Sequence, residues 1–407
     1  MTLIECFTEA HIDNIAACLR LRPEQMVIIG NASEMADPVK RYKKLLKKRG
    51  IATKVDICDV QRMDLDDIFA VLKKAVYAAK DCVIDLTGGD ECVIMAAGAV
   101  LAGLSVEARQ SVRVVKFDHK AQVVQDCIHD NRKIQTKPVN LTVEEFIELH
   151  GGTIYPNACQ PSEDTCRQDM AVFWDVVSEA PKDWNKAIAY LGEFESKSDS
   201  KMHVSVPLSP IRNSVADFEK KEKAVRELLG KLDEKGVIDN QSSPNVLKYT
   251  YKSPRFRYYT QKAGNVLEVK TLLESRSVLE QGAPYFCDCQ MSVSIDWDGE
   301  VHDPAERVSE TRNEIDVILM HGTTPLFVSC KNGNIEEAEM YKLHTVAERF
   351  GGPYAKKMLI ATELDLENSA TNRAIDQRAR DMHISLVAGA AKLSREEWRN
   401  IFKEAMR

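Results

Sequence analysis

The segment NEIDVILMHGTTPLFVSCKNG, residues 313–333, sets two alternating apolar runs around a small polar turn, the pattern of a β-hairpin. It carries Asp316 inside its first strand and Lys331 at the end of its second. A charge on a half-buried sheet costs free energy unless it is paired or holds a cation, so both residues ask for a role. With the turn at Gly322 and Thr323, or spread over His321 to Thr324, Asp316 falls opposite Ser329. Asp316, Ser329 and Lys331 then share one face, while Ile315, Val317 and Val328 point to the other. A structural salt bridge is one reading of the pair. The other is phosphodiester hydrolysis. The carboxylate would hold Mg2+ or Mn2+ through oxygen, and the lysine would orient or help deprotonate water and steady charge in the transition state. One carboxylate grips such an ion poorly, so a second acid is required.

The helix-period segment before the hairpin supplies it. GNVLEVKTL, then EID on a strand, then SCK on the next, resembles the α-β-β-β-α order of the PD-(D/E)xK nucleases over about residues 264–350. The resemblance implies that Glu268 is the acid of the first helix, Asp316 the motif aspartate and Lys331 the motif lysine. Ser329 stands where that family has Glu or Asp. Two repairs are open: the Cys330 backbone carbonyl together with Glu268 as metal ligands, or an acid displaced onto the next helix, where Glu336 and Glu339 lie three apart. Glu310 and Glu314 flank the site, and parity sends Glu314 to the Asp316 face.

Residues 2–120 alternate short β-rich runs (LIECFT, QMVIIGN, TKVDIC, CVIDLTGG, VRVVKFD) with helix-period segments, which predicts parallel strands with right-handed crossovers in a Rossmann-like doubly wound sheet. Ligands of such sheets bind at the strands' carboxyl ends. Those ends carry Phe7 and Thr8, then Asn31, Ala32 and Ser33, then Thr87, Gly88, Gly89 and Asp90. The glycine pair permits close backbone approach, and a helix start attracts phosphate. Asp90 and Glu91 oppose that attraction, and a plain strand-helix turn is the alternative.

A Rossmann-like half ending in DLTGGDE, followed by a unit of the SCK type, resembles the CRISPR-associated Rossmann fold (CARF) nucleases across nearly the whole chain. The resemblance implies a homodimer whose paired N-terminal domains bind a cyclic oligoadenylate, usually cyclic tetra-adenylate, in a groove lined by the residues just named, and thereby activate the nuclease. The expected fold is α/β. A CARF domain spans 1–150, a linker and small winged-helix-like insert 151–262, and a restriction-endonuclease-like α/β domain 263–407.

Composition sets outer limits. The 407-residue chain is 44% hydrophobic and 29% charged, enough to bury a sizeable core. A net charge of -7 argues against a general nucleic-acid coat while leaving room for a local basic groove. The N-terminus shows no basic leader or apolar signal region, and Cys92–Leu104 is too short to span a bilayer. The eleven cysteines form no C-x-x-C pair, and a reduced, cytoplasmic compartment without membrane partners is expected. The basic run Lys40–Arg49 reads as a solvated face or a phosphate grip. RFRYY (255–259) reads as a single-strand binder or as half-buried hairpin residues, and Arg373, Arg378 and Arg380 are further candidates for substrate contact. Two other functions stay open: a ligand-sensing DNA-binding regulator without nuclease activity, and a metal-independent ribonuclease. For the latter the pairs Arg113/His119 and Arg378/His383 are poorly placed.

Overall fold

The structure is a computed structural model that describes every residue except 63, 90, 129–131, 156–162, 298–311 and 334. Its N-terminal half follows the alternation of the sequence: β1 (Thr2–Cys6), α1 (Asp13–Leu21), β2 (Gln25–Gly30), α2 (Ala32–Lys48), β3 (Lys54–Asp59), α3 (Leu65–Ala78), β4 (Cys82–Asp85), α4 (Glu91–Ala102), α5 (Val106–Gln110), β5 (Val112–Asp118), β6 (Val123–Asp126) and β7 (Arg132–Ile134). The seven strands pair in the order β3-β2-β1-β4-β5-β6-β7, parallel through β5 and antiparallel beyond it. The chain reverses direction across the sheet between β1 and β4, which makes their carboxyl ends the topological switch point. Near-continuous apolar strands such as MVII and CVI are what a sheet covered on both faces requires. Helices α1 and α2 cover one face, and α3 and α4 the other.

A connector follows: α6 (Val143–Leu149), begun by a Thr142/Glu145 capping box, and β8 (Thr153–Ile154). Next come α7 (Glu163–Glu179), α8 (Pro181–Glu195), β9 (His203–Pro207), α9 (Phe218–Glu234), β10 (Ile238–Asn240) and β11 (Val246–Tyr251). The strands form a small antiparallel sheet, β10-β11-β9. The helix, strand, helix, hairpin order is winged-helix-like.

The last third runs α10 (Pro254–Gln261), α11 (Asn265–Arg276), β12 (Leu279–Glu280), β13 (Ala283–Pro284), β14 (Asp288–Asp296), β15 (Arg312–His321), β16 (Thr324–Lys331), α12 (Glu337–Gly351), β17 (Lys356–Ala361), α13 (Ala370–Asp381), β18 (Ile384–Val387) and α14 (Arg395–Ala405). Its six-stranded sheet is ordered β18-β17-β16-β15-β14-β8, so β8 from the connector joins it as an edge. Helices α11 and α14 pack on one face, with α10 against α11, and α6 and α12 pack on the other.

One apolar cluster runs without a break from Leu3, Ile15 and Tyr42 of the first half, through Phe146 of α6, to Ile318, Phe327 and Phe350 of the last third. A row of ion pairs seals its rim: Lys44–Glu148 (3.2 Å), Lys48–Glu144 (2.9 Å) and Arg49–Glu145 (2.5 Å) join α2 to α6. The Lys40–Arg49 run therefore serves largely as a helix-to-helix seam. RFRYY is neither hairpin nor open groove: it is helix α10, where Tyr259 is fully buried and Arg255 bonds the buried Asp169 at 2.6 Å. The preceding Ser253 and Pro254 start that helix, which the run of rings had masked. Among the described residues no helix is long and apolar enough to cross a membrane.

Candidate functional site

The hairpin forms with the turn at Gly322 and Thr323; its ladder runs from His321–Thr324 to Val317–Val328 and stops there. One step further, Asp316 stands beside Ser329 as its spacing implied. Ser329 Oγ donates to Asp316 Oδ2 at 3.2 Å, and the Cys330 amide donates to the same oxygen at 2.6 Å. The aspartate side chain has thus taken the place of a backbone acceptor, and β15 parts from β16 at this point.

The cause lies on the other neighbour. In β14, Ser292 has φ of +50°, a conformation uncommon outside glycine, and the β14–β15 pairing omits the Ser292/Asp316 position between Met291–Val317 and Val293–Ile315. Face parity changes across this kink. Met291 and Val317 pack with α11, whereas Val293 and Ile315 pack with α12. The expectation that Ile315 and Val317 share a face is therefore wrong: strict period-two alternation fails where both strands twist together.

The parted strands leave a small cleft against α12, lined by Glu314, Asp316, Ser329, Lys331, Glu339 and Lys342. Lys331 Nζ bonds Glu339 Oε2 at 2.7 Å. Of the two acids proposed as replacements for the motif acid, Glu339 reaches the cleft, whereas Glu336 stands at the cap position of α12 outside its lining. Glu310 and Asp90 lie outside the described residues. Lys342 was missed from the sequence; its position three residues after Glu339, on the same helix face, is the signal that would have found it.

Glu268, on α11, does not line the cleft. Its carboxylate meets Ser292 Oγ at 3.4 Å, and burial pushes its pKa up to about 7, with the charges of Asp316 and Glu314 adding to the rise. Burial also raises Asp316, against the pull of the Cys330 amide and of Lys331. Two half-buried acids that feel each other's charge make a place where a cation is favoured. Among the described residues no three acid, histidine or cysteine side chains converge closely enough to hold an ion unaided. The donor set fits a hard divalent ion only with water or phosphate oxygens completing it. Cys330 keeps its thiol buried against Thr271 Oγ1 at 3.5 Å, so the protein oxygen expected from it is the backbone one.

The strand tips of the first half lie together at the switch point. Phe7 and Thr8 follow β1; the Thr8 amide donates to Asn14 Oδ1 at 2.9 Å, and Asn14 Nδ2 returns to Thr8 O at 2.7 Å. Asn31 caps α2 by accepting from Ser33 N, and the Ala32 amide is taken by Asp59 Oδ1 at 2.8 Å. Thr87 is spent on the scaffold, its amide donating to Asp85 Oδ1 and its hydroxyl accepting from Phe117 N. A Cβ at Gly88 would sit 2.7 Å from the Thr8 methyl, so that approach admits only glycine, and Gly89 adopts φ of +93°. These tips are thus braced against one another.

Arg373 and Arg378, expected to contact substrate, bond the Glu367 carbonyl and Glu337 with Tyr341 respectively, and Arg380 pairs with Asp376. Arg113 bonds Asp81 at 3.4 Å and His119 bonds Asp13 at 2.7 Å, so that pair is structural.

No protein-family model and no curated protein sequence matches this chain. Solved structures do. VC1899 from Vibrio cholerae superposes with a TM-score of 0.73 at 15% identity, over 100% of this chain and 97% of the other. Can2 from Sulfobacillus thermosulfidooxidans, solved in complex with cyclic tetra-adenylate, superposes with a TM-score of 0.68 at 13% identity, again over 100% and 97%.

Proposed function

We propose that the chain, which has the fold of VC1899 and Can2, is a CRISPR-associated Rossmann-fold nuclease: an ancillary endonuclease of antiviral defence, metal-dependent and activated by cyclic oligoadenylate, with cyclic tetra-adenylate the first choice. Its units are a sensor (1–150), a winged-helix-like insert (151–262) and a nuclease domain (263–407). The observation that supports the reading best is the parted β15–β16 pair, which presents a half-buried Asp316 beside Lys331 and Glu339 in one cleft.

Glu268, Asp316 and the Cys330 carbonyl are the residues to hold Mg2+ or Mn2+, which when bound supplies a Lewis acid and lowers the pKa of water. The Cys330 amide and Ser329 fix the Asp316 carboxylate. Lys331 steadies charge on the phosphate oxygens, and its partner Glu339 stands in for the acid that Ser329 replaces, holding the amine in place and able to accept a proton from water. Lys342, on the cleft wall, positions a substrate phosphate.

The activator groove comprises Phe7, Thr8, Asn31, Ala32, Ser33, Thr87, Gly88, Gly89 and Asp90. A two-fold-compatible ring suits a homodimer. The exposed apolar face of α4 and α3, with Ile94, Met95 and Tyr77 each more than half exposed, supports pairing through that side.

The test is cleavage of labelled single-stranded RNA, single-stranded DNA and plasmid, with and without cyclic tetra-adenylate, in Mn2+, Mg2+ or EDTA. Cutting that needs both the ring and a divalent ion is expected. Ring binding without cutting under any condition overturns it in favour of a regulator built on the winged-helix-like insert, and cutting that survives EDTA overturns the metal site.

A further inference from the structure

A cleft of about 650 Å³ opens at the junction of the two halves and is separate from the catalytic cleft. Arg41 of α2 and Arg349 near the end of α12 both line it, within reach of each other's charge. Neither guanidinium has a carboxylate partner among the described residues: Arg41 donates to the Leu149 carbonyl (3.0 Å) and to His11 Nε2 (3.2 Å). Two imidazoles complete the wall, with His11 and His150 5.6 Å apart between ring centroids. Burial and the two arginines push their pKa values down, to about 4 and about 3, so both are neutral near pH 7. Of the acids on the wall, Asp37 is bound to Lys40 at 2.8 Å and Glu348 to Lys357 at 3.2 Å, which leaves Glu9 and Glu34.

Arg41, half-buried, and Arg349, exposed, repel each other and neither is ion-paired among the described residues, so an anion that enters between them relieves the repulsion, against the opposing charges of Glu9 and Glu34 on the same wall. Guanidinium pairs suit phosphate, whose oxygens they take two at a time. The cleft is also of the size that holds a small ligand. We propose that it is a second phosphate-recognition site, in which a phosphate ester is gripped between Arg41 of the sensor half and Arg349 of the nuclease half. Phe7 and Ser33 line both this cleft and the activator groove assigned above, so the phosphate comes either from the activator ring itself or from a separate nucleotide. The first source rests on the functional reading above; the second does not.

Arg349 is exposed on the surface of α12, so Arg349→Ala should fold normally, whereas Arg41→Ala loses its bond to Leu149 as well. Pyrophosphate, titrated into the full-length protein and read by thermal shift, should raise the melting temperature of the wild type. Arg349→Ala should abolish that shift, and Arg349→Lys should restore part of it. A pyrophosphate shift equal in Arg349→Ala and the wild type overturns the site. Calorimetric titration of cyclic tetra-adenylate then separates the sources. Affinity about tenfold weaker in Arg349→Ala assigns the phosphate to the ring, and unchanged affinity assigns it to a separate nucleotide. If the ring fails to bind even the wild type, the activator reading falls while the pyrophosphate arm still decides the site.

Discussion

At the scale of single residues, the proposed catalytic pair Asp316 and Lys331 should separate cleanly from sensing. Asp316→Ala and Lys331→Ala are expected to lower cutting by about a hundredfold or more, with affinity for cyclic tetra-adenylate retained, as measured by cleavage of a labelled strand and by titration. A second pair of acids sits under the strand tips. Glu5 and Asp85, on the neighbouring strands β1 and β4, are both about 1% exposed, and among the described residues neither Glu5 oxygen has a hydrogen-bond donor, while the Asp85 carboxyl faces it. Burial, and then Asp85, raise Glu5 well above its ordinary 4.5; burial raises Asp85 to about 6. The folded protein therefore holds more protons than the unfolded chain once the pH passes about 4, and stability falls as pH rises through the raised values. Glu5→Gln, which keeps the shape without the charge, should melt higher than the wild type at pH 8 and about equally at pH 4, by thermal denaturation at the two values. Asp316, Ser329 and Lys331 were legible because side-chain alternation around a two-residue turn is simple geometry. Glu339's choice over Glu336 was not, because it depends on how α12 seats against a kink at Ser292, and a serine with positive φ leaves no mark in a sequence.

Among the elements, the turn between β5 and β6 does the most joining. Gln122 accepts from both the amide and the hydroxyl of Thr323, at 2.9 and 3.0 Å, and donates to Thr324 Oγ1 at 3.2 Å, so the N-terminal half clasps the tip of the β15–β16 hairpin. Beside it His119 stacks on Tyr354 with ring centroids 3.7 Å apart, and Asp13 accepts from both. Tyr354 follows α12, the helix that holds Glu339 against Lys331. Gln122→Ala should leave ring affinity intact and weaken the dependence of cutting on the ring, which activity against activator concentration would show. An equally steep dependence in the variant would refute this route. The alternating strands and helices of the N-terminal half and the β15–β16 hairpin were readable from apolar periodicity, whereas α10 was read as hairpin residues and α7 and α8 were not read at all. This clasp was not, since a glutamine in a polar turn has no pattern to distinguish it from any surface residue.

For the molecule as a whole, the absence of a seam matters most. The apolar cluster that begins at Leu3 continues to Ile384, and α6 lies inside it rather than in an exposed linker. Calorimetry of the ligand-free protein should therefore show one cooperative transition for the N-terminal and C-terminal halves together, with no stable domain released by limited proteolysis. Two resolved transitions assigned to the halves would refute it. The sequence order suggested separable units because strand rhythm changes near residue 150; shared burial across that change is a three-dimensional property and had no one-dimensional trace.

A body packed this continuously has nowhere to hinge. Close-packed interiors shift between discrete arrangements by small slides rather than by swinging open, so spin labels placed at Tyr77 and Arg399 of the same copy should keep their separation when the ring is added. On the pairing proposed through α3 and α4, that stiffness would make each copy an arm, and a slight rotation where the two meet would be carried undamped to the proposed catalytic strands.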